Sequence, residues 1–214
     1  MLVPHPDDIE WGCATAVAKW TSQGKHVHYA LACRGEAGIE GMPPHECGPL
    51  REREQRLSSA IVGVHDVEFW DFPDGEIFDT PQLRAKIAET IMDVAPEVVI
   101  TLYSGPEWAP GAPNQRDHIE FSNAVAGAYD SLADKPKWFF EHGPGGTHGE
   151  TVDEFIEGGV DSLAAHDVYL SAIDPDTPVR DQARKVVDMT TLPPLPGLEG
   201  HRSVEFILKR ETGR

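Results

Sequence analysis

The chain has 214 residues, 40% of them hydrophobic, and sets 36 acidic side chains against 18 basic ones for a formal charge of −18. That length and composition suit one well-cored globular domain and exclude a disordered chain. The charge excludes nucleic acid or an anionic membrane surface as expected partner, since both would repel it.

From the N-terminus, Leu2–Val3 reads as a first strand, and its shortness carries the expectation that a longer natural start precedes it. HPDDIEWG follows at 5–12. Residues 9–21 have helical character, with Ala14, Val17, Ala18 and Thr21 at spacings of three and four. Residues 26–33 (HVHYALAC) read as a strand, followed by a loop rich in glycine and proline through Pro49. Residues 51–63 are predicted helical, with Leu57, Ala60, Ile61 and Val64 facing inward, and 67–72 strand-like, with a PDG turn at 73–75.

Pro81–Val94 is an amphipathic helix with Leu83, Ile87, Ile91 and Val94 on one stripe and proline in its first turn. Residues 97–102 form a buried strand, and the proline-bearing loop 103–116 is long for a routine connection. Helix over 117–132, strand at 138–141, a glycine-rich loop at 143–149, helix over 152–163, a proline-rich tail and a last strand at 203–208 complete the reading.

Strands alternating with helices predict an α/β fold with a mostly parallel sheet. Without internal repeat or linker, residues 1–214 read as a single domain. Cys13, Cys33 and Cys47 are odd in number and lack a CxxC pair, so they read as reduced thiols of a cytoplasmic protein. No apolar stretch reaches the roughly 18 residues of a membrane span, and no signal peptide is visible.

In such sheets ligands bind beyond the carboxyl ends of the strands, where the strand order reverses. HPDD lies there for the first strand, and QRDHIE (115–120) follows the fourth main strand. A 3-2-1-4-5 order makes those strands neighbours, so His5, Asp7, Asp8 and His118 form one candidate cluster. Imidazole nitrogens and a carboxylate oxygen suit a divalent transition metal. Two histidines and one carboxylate leave a position for water, whose pKa a metal lowers to about 7. The other carboxylate, Asp7, is then available as general base, and Pro6 stiffens the turn between the two aspartates. On the residues alone a plainer reading stays open: an aspartate that caps the next helix and a histidine that merely starts another.

HPDDIEWGCATAVAKW (5–20) resembles the opening of the PIG-L/LmbE-like zinc-dependent N-deacetylases. RGEAG (34–38) is similar to that family's G-E-x-G segment, and FPDGEI (72–77) to its D-G turn. Arg51 and Glu54 ahead of Val62, Gly63 and Val64 are similar to its R-x-x-E helix ending in L-G-V. His118 in QRDHIEFSNAV matches its third-ligand histidine. These landmarks run in order over roughly the first 130 residues, and VDSLAAHDVYLS (160–171) resembles more weakly a later A-x-x-x-H helix.

The resemblance implies a Rossmann-like, doubly wound fold with helices on both faces of the sheet. It also implies His5, Asp8 and His118 as ligands of Zn2+, with Fe2+ the other ion such a set accepts, and Asp7 as base. One departure stands out. Many members carry a histidine three residues before the ligand histidine, implicated as acid or electrostatic stabiliser. Here that residue is Gln115, which donates hydrogen bonds but shuttles no proton at neutral pH. Asp7, His142 or His166 is then the candidate proton donor, or turnover is slow or lost.

Arg34, Glu36, Arg51, Asp74 and Gln115 are candidate substrate-binding residues; surface ion pairing is the competing reading for the first three, and a turn role for Asp74. Trp108 either covers a sugar ring or anchors its loop, while Cys13 and Cys33 read as core residues. The expected activity is metal-dependent hydrolysis of an N-acyl, foremost N-acetyl, amide on a small polar substrate, with a sugar among the candidates. The alternative is a metal- or ligand-binding family member with little turnover. A nucleotide-binding reading is poor, because acidic HPDD stands where a phosphate site needs glycine-rich backbone amides.

Overall fold

In the computed structural model, which describes residues 1–192 and 195–213, strands and helices alternate along the chain. The elements in order are β1 (Leu2–Val3), α1 (Ala14–Ser22), β2 (His28–Leu31), α2 (Pro44–Ile61), β3 (Asp66–Phe69), α3 (Pro81–Val94) and β4 (Val98–Leu102). A hairpin of β5 (Glu107–Ala109) and β6 (Ala112–Pro113) leads into α4 (Arg116–Ser131), β7 (Trp138–His142) and β8 (His148–Thr151). A 3-10 turn at Asp153–Phe155 then precedes α5 (Ile156–Ala164), α6 (Asp167–Ile173), α7 (Val179–Thr191) and β9 (Ser203–Glu211).

β1, β2 and β3 form a parallel ladder, with Leu2 opposite Ala30 and His28 opposite Asp66. β4 pairs in parallel with β7, and β9 runs antiparallel between β7 and β8. β1 lies beside β4, which places the main strands in the expected 3-2-1-4-5 order, β7 being the fifth.

Alternation along the strands divides the core in two. Val3, Tyr29, Leu31, Ile100 and Leu102 enter one cluster with Val17, Val160, Leu163 and Val186 of α1, α5 and α7. Leu2, Ala30, Val99 and Phe139 enter the other with Leu83, Ile87, Phe121 and Val125 of α3 and α4. Side chains of a strand point alternately to opposite faces, so both faces are covered and the fold is the expected doubly wound α/β sheet. No helix among the described residues is long and apolar enough to cross a membrane.

α3 has the predicted bounds, because its signals are local: Thr80 accepts a hydrogen bond from Leu83 N–H, Pro81 opens the helix, and Ala95 ends it in the left-handed region at φ 47°. Elsewhere the elements shift. α1 begins at Ala14, not at residue 9, because residues 5–13 form successive turns. α2 begins at Pro44, inside the expected loop, and contains Pro49.

Its inward face also differs from the expectation. Val64, just beyond the helix, is buried, but Leu57 and Ile61 are 63% and 47% exposed and Ala60 faces solvent. The helix instead buries Cys47, Gly48, Arg51, Glu54, Gln55, Ser58 and Ser59, since it lies over a polar loop. The long loop 103–116 holds the β5–β6 hairpin, and part of the expected glycine-rich loop is β8. α7 has no counterpart among the predicted elements. Of the proline-rich tail, residues 193 and 194 lie outside the described residues.

Candidate metal centre and active site

The chain leaves β1 through two prolines, and Asp7 takes a left-handed backbone conformation at φ 79°. That region is uncommon for a non-glycine residue and strained. The turn is held by His5 N–H donating to Asp8 Oδ2 (2.7 Å), Asp7 N–H to Gln55 Oε1 (2.7 Å) and Trp11 N–H to the Asp7 carbonyl (2.9 Å).

As a result the adjacent carboxylates face different partners. Asp7 Oδ1 accepts from Arg51 Nη2 at 2.8 Å on α2. Asp8 Oδ1 lies 3.1 Å from His118 Nε2 on α4, and its Oδ2 lies 3.4 Å from His5 Nδ1.

Ligand atoms of His5, Asp8 and His118 all lie within 4.8 Å of one another. His118 Nε2 is buried and makes no hydrogen bond among the described residues, which leaves it available to an ion in the shared space. Borderline imidazole nitrogens with one carboxylate oxygen fit a zinc or iron(II) ion. A second grouping, His5, Cys33 and Asp74, shares His5. It is the poorer donor set, because burial pushes the Cys33 thiol up to about 12 and its S–H donates to the Pro4 carbonyl.

Burial opposes charge on His5, yet Asp8, Asp117 and Asp74 outweigh it and raise its pKa well above the ordinary value. His5 Nε2 lies 3.3 Å from Asp74 Oδ1 and 3.4 Å from Asp117 Oδ2. Carboxylates on the outer nitrogen orient a ligand histidine and raise its basicity. Asp117 was not among the sequence candidates, although its place beside His118 is the signal that could have found it.

The two aspartates titrate apart. Burial pushes Asp7 up to about 6, against Arg51 and with help from Asp8. Burial would raise Asp8 too, but His118 and His5, when protonated, hold it well below the usual carboxylate range.

The remaining candidates separate by position. Arg51 is 2% exposed and stacks on Tyr169, with its guanidinium carbon 3.6 Å from the ring centroid. Nη2 donates to the Pro6 carbonyl as well as to Asp7. It therefore braces the HPDD turn from α2 and is not a surface ion pair. Asp74 Oδ2 accepts from Ala37 N–H, and its own N–H donates to Glu36 Oε1, so Glu36 holds the Asp74 turn. Arg34 donates to Glu52, Asp71 and the Trp70 carbonyl. Gln115 is exposed at the start of α4, and its side chain does not cap the helix.

Trp108, on the hairpin, stands edge-on to His118 with ring centroids 6.2 Å apart. His142 is buried against Gly12, and burial lowers its pKa to about 4. His166 is fully buried, with Nε2 3.7 Å from Glu10 Oε2. Cys13 and Cys33 are core residues, as expected.

A doubly wound α/β sheet with a His–Asp–His donor cluster, next to a carboxylate held apart from it, defines the class. Residues 1–129 match the family of GlcNAc-PI de-N-acetylases, PIG-L, and the chain belongs to that family. It is 32% identical over 135 residues to the diacetylchitobiose deacetylase of Thermococcus kodakarensis, covering 61% of this chain and 49% of that one. The chain spans about half the length of the curated relatives it matches.

Among solved structures, the N,N'-diacetylchitobiose deacetylase from Pyrococcus horikoshii superposes with a TM-score of 0.82 at 15% identity, covering 97% of this chain and 81% of that one. GalB, the 4-carboxy-2-hydroxymuconate hydratase from Pseudomonas putida, superposes at 0.72 and 16% identity, covering 100% and 97%. At those identities the likeness establishes the fold alone.

Proposed function

We propose that this protein hydrolyses an N-acetyl amide on a small polar, sugar-containing substrate, with Asp7 as general base beside a divalent ion held by His5, Asp8 and His118. The observation that carries this reading is the division of two neighbouring carboxylates. One faces two imidazoles; the other is buried on an arginine with a pKa of about 6. Pairs of carboxyl groups whose environments push their pKa values apart mark acid and base assignments. Family membership and the named deacetylase relative support the acetamide as substrate class.

A bound ion would supply Lewis acidity, polarising the acyl carbonyl and acidifying water. Asp7 does the proton work. Arg51 fixes Oδ1, whereas Oδ2 accepts no hydrogen bond from the described residues and is the oxygen that takes the proton. Burial raises the Asp7 pKa against the pull of Arg51, which makes its carboxylate a stronger base, able to take a proton and return it to the departing amine. That return route makes a second titrating donor at position 115 unnecessary, and the products are acetate and a free amine.

The test is metal analysis with amine release from a panel of N-acetylated sugars and thiol conjugates. Chelator-sensitive release is the expected result; no bound divalent metal and no release across the panel would sink the reading. The second reading, a family member that binds but scarcely turns over, is favoured by Gln115 itself. If Gln115→His creates activity where the native protein shows none, that second reading holds for the substrate used.

A further inference from the structure

We infer that Asn114 is a positioning residue that holds His118 in the tautomer a metal requires, and does so from the base of the β5–β6 hairpin. This rests on reading His118 as a metal ligand. The two ends of an asparagine amide are told apart only by their partners. Asn114 Nδ2 donates to two backbone carbonyls, Tyr103 at 2.8 Å and Gly105 at 2.9 Å. A carbonyl only accepts, so the NH2 end belongs there and Oδ1 is left facing His118 Nδ1, 3.1 Å away. Oδ1 also only accepts. In the neutral ring the proton is therefore on Nδ1, and Nε2 carries the lone pair.

The surroundings of Nε2 fit the same assignment. It lies 3.1 Å from Asp8 Oδ1, yet the two make no hydrogen bond. With the proton on Nδ1, two buried acceptors confront each other, an arrangement that calls for a cation between them. Had Nε2 carried the proton instead, Nδ1 would have opposed the Asn114 oxygen, acceptor against acceptor.

Asn114 is anchored beyond its side chain. Its N–H donates to the Pro106 carbonyl at 2.8 Å, so one residue ties Tyr103, Gly105 and Pro106 together and closes the loop that carries Trp108. The ligand's tautomer and the hairpin wall beside it are thus set by the same amide.

The experiment is 15N NMR of histidine-labelled, metal-free protein at a pH where His118 is neutral, joined to zinc affinity by chelator competition. The wild type should show His118 protonated on Nδ1. Asn114→Leu, which loses both ends of the amide, should mix the tautomers and weaken zinc binding roughly 10- to 100-fold, as loss of outer hydrogen-bond partners does. Asn114→Asp keeps the acceptor for His118 and loses the donors to the loop. It should keep the tautomer and bind zinc within a few-fold of wild type.

A wild-type His118 protonated on Nε2 overturns the inference, whatever the variants do. Equal weakening in Asn114→Asp and Asn114→Leu also overturns it, because the amide would then act through the loop alone. Protein that shows the Nδ1 tautomer and binds zinc but releases no amine would end the deacetylase reading and leave this one standing.

Discussion

Asp7 and Asp8 are neighbours in sequence and opposites in environment because the backbone turns left-handed at Asp7. The residue types of HPDD and the separate directions of its two aspartates were legible from the sequence, but the turn credited there to Pro6 also depends on this conformation. Gln55 on α2 stabilises it by accepting the Asp7 N–H, a contact no local pattern announces. Asp7→Asn should lower kcat by about 10²- to 10⁴-fold, the usual worth of a positioned base. Bound metal should stay at wild-type levels, because His5, Asp8 and His118 are untouched. Amine release beside metal analysis checks this, and undiminished turnover would remove Asp7 from the role. Arg51→Met gives the complementary sign. Arg51 lowers the Asp7 pKa against the effect of burial, so its removal raises that pKa above about 6. Asp7 acts when ionised, hence the acid limb of the kcat/KM profile should move to higher pH. A limb that stays fixed or moves to lower pH would separate Arg51 from the base.

α2 is where binary patterning misled. A helix is ordinarily read by its apolar stripe, which here pointed to Leu57 and Ile61, both exposed. The buried stripe is polar because it lies over the HPDD turn. Gln55 Nε2 and Ser58 Oγ both donate to Glu10 Oε1, Ser58 and Ser162 hydroxyls lie 2.8 Å apart, and Glu54 accepts from Val168 N–H. Hydrogen bonds of this kind tie the helix to the turn, although Glu10 Oε2 and Glu54 Oε2 accept none from the described residues. Leu57→Gln should therefore change stability by no more than about 0.5 kcal/mol. Gln55→Leu, closer to hydrophobic by composition, should cost roughly 1–3 kcal/mol, because it strands the buried Asp7 N–H. Urea unfolding of the two variants decides between them; a reversed order would mean that the polar face is incidental. α7 escaped prediction although Val179, Ala183, Val186 and Val187 recur at helical spacing; the stretch reads as part of the proline-rich tail.

At the scale of the molecule, the α/β class was legible from the alternation of elements, whereas the 3-2-1-4-5 order was an assumption and how the two halves of the sheet are joined was not legible. β1 has only two residues, for Pro4 and Pro6 turn the chain away and offer no N–H. β1 lies against β4, yet the described residues form two separate ladders, one ending at β1 and the other at β4. The candidate ligands straddle that seam: His5 and Asp8 follow β1, while His118 comes from α4 on the far side. An ion there would tie the halves together where backbone pairing does not, and it would bind the folded chain alone. At 100 times its dissociation constant it should add about 2.7 kcal/mol of stability, which for a chain of this size raises Tm by roughly 5–10 °C. Where that stability appears is the sharper expectation. Chelation should speed amide hydrogen exchange along residues 2–3 and 98–102, at the seam, and leave the α3–α4 face nearly unchanged. Exchange that rises evenly over the sheet, or a Tm indifferent to zinc, would mean that the seam holds without the ion, through the packing of Val3 with Ile100 and Leu102 in one core and Leu2 with Val99 in the other.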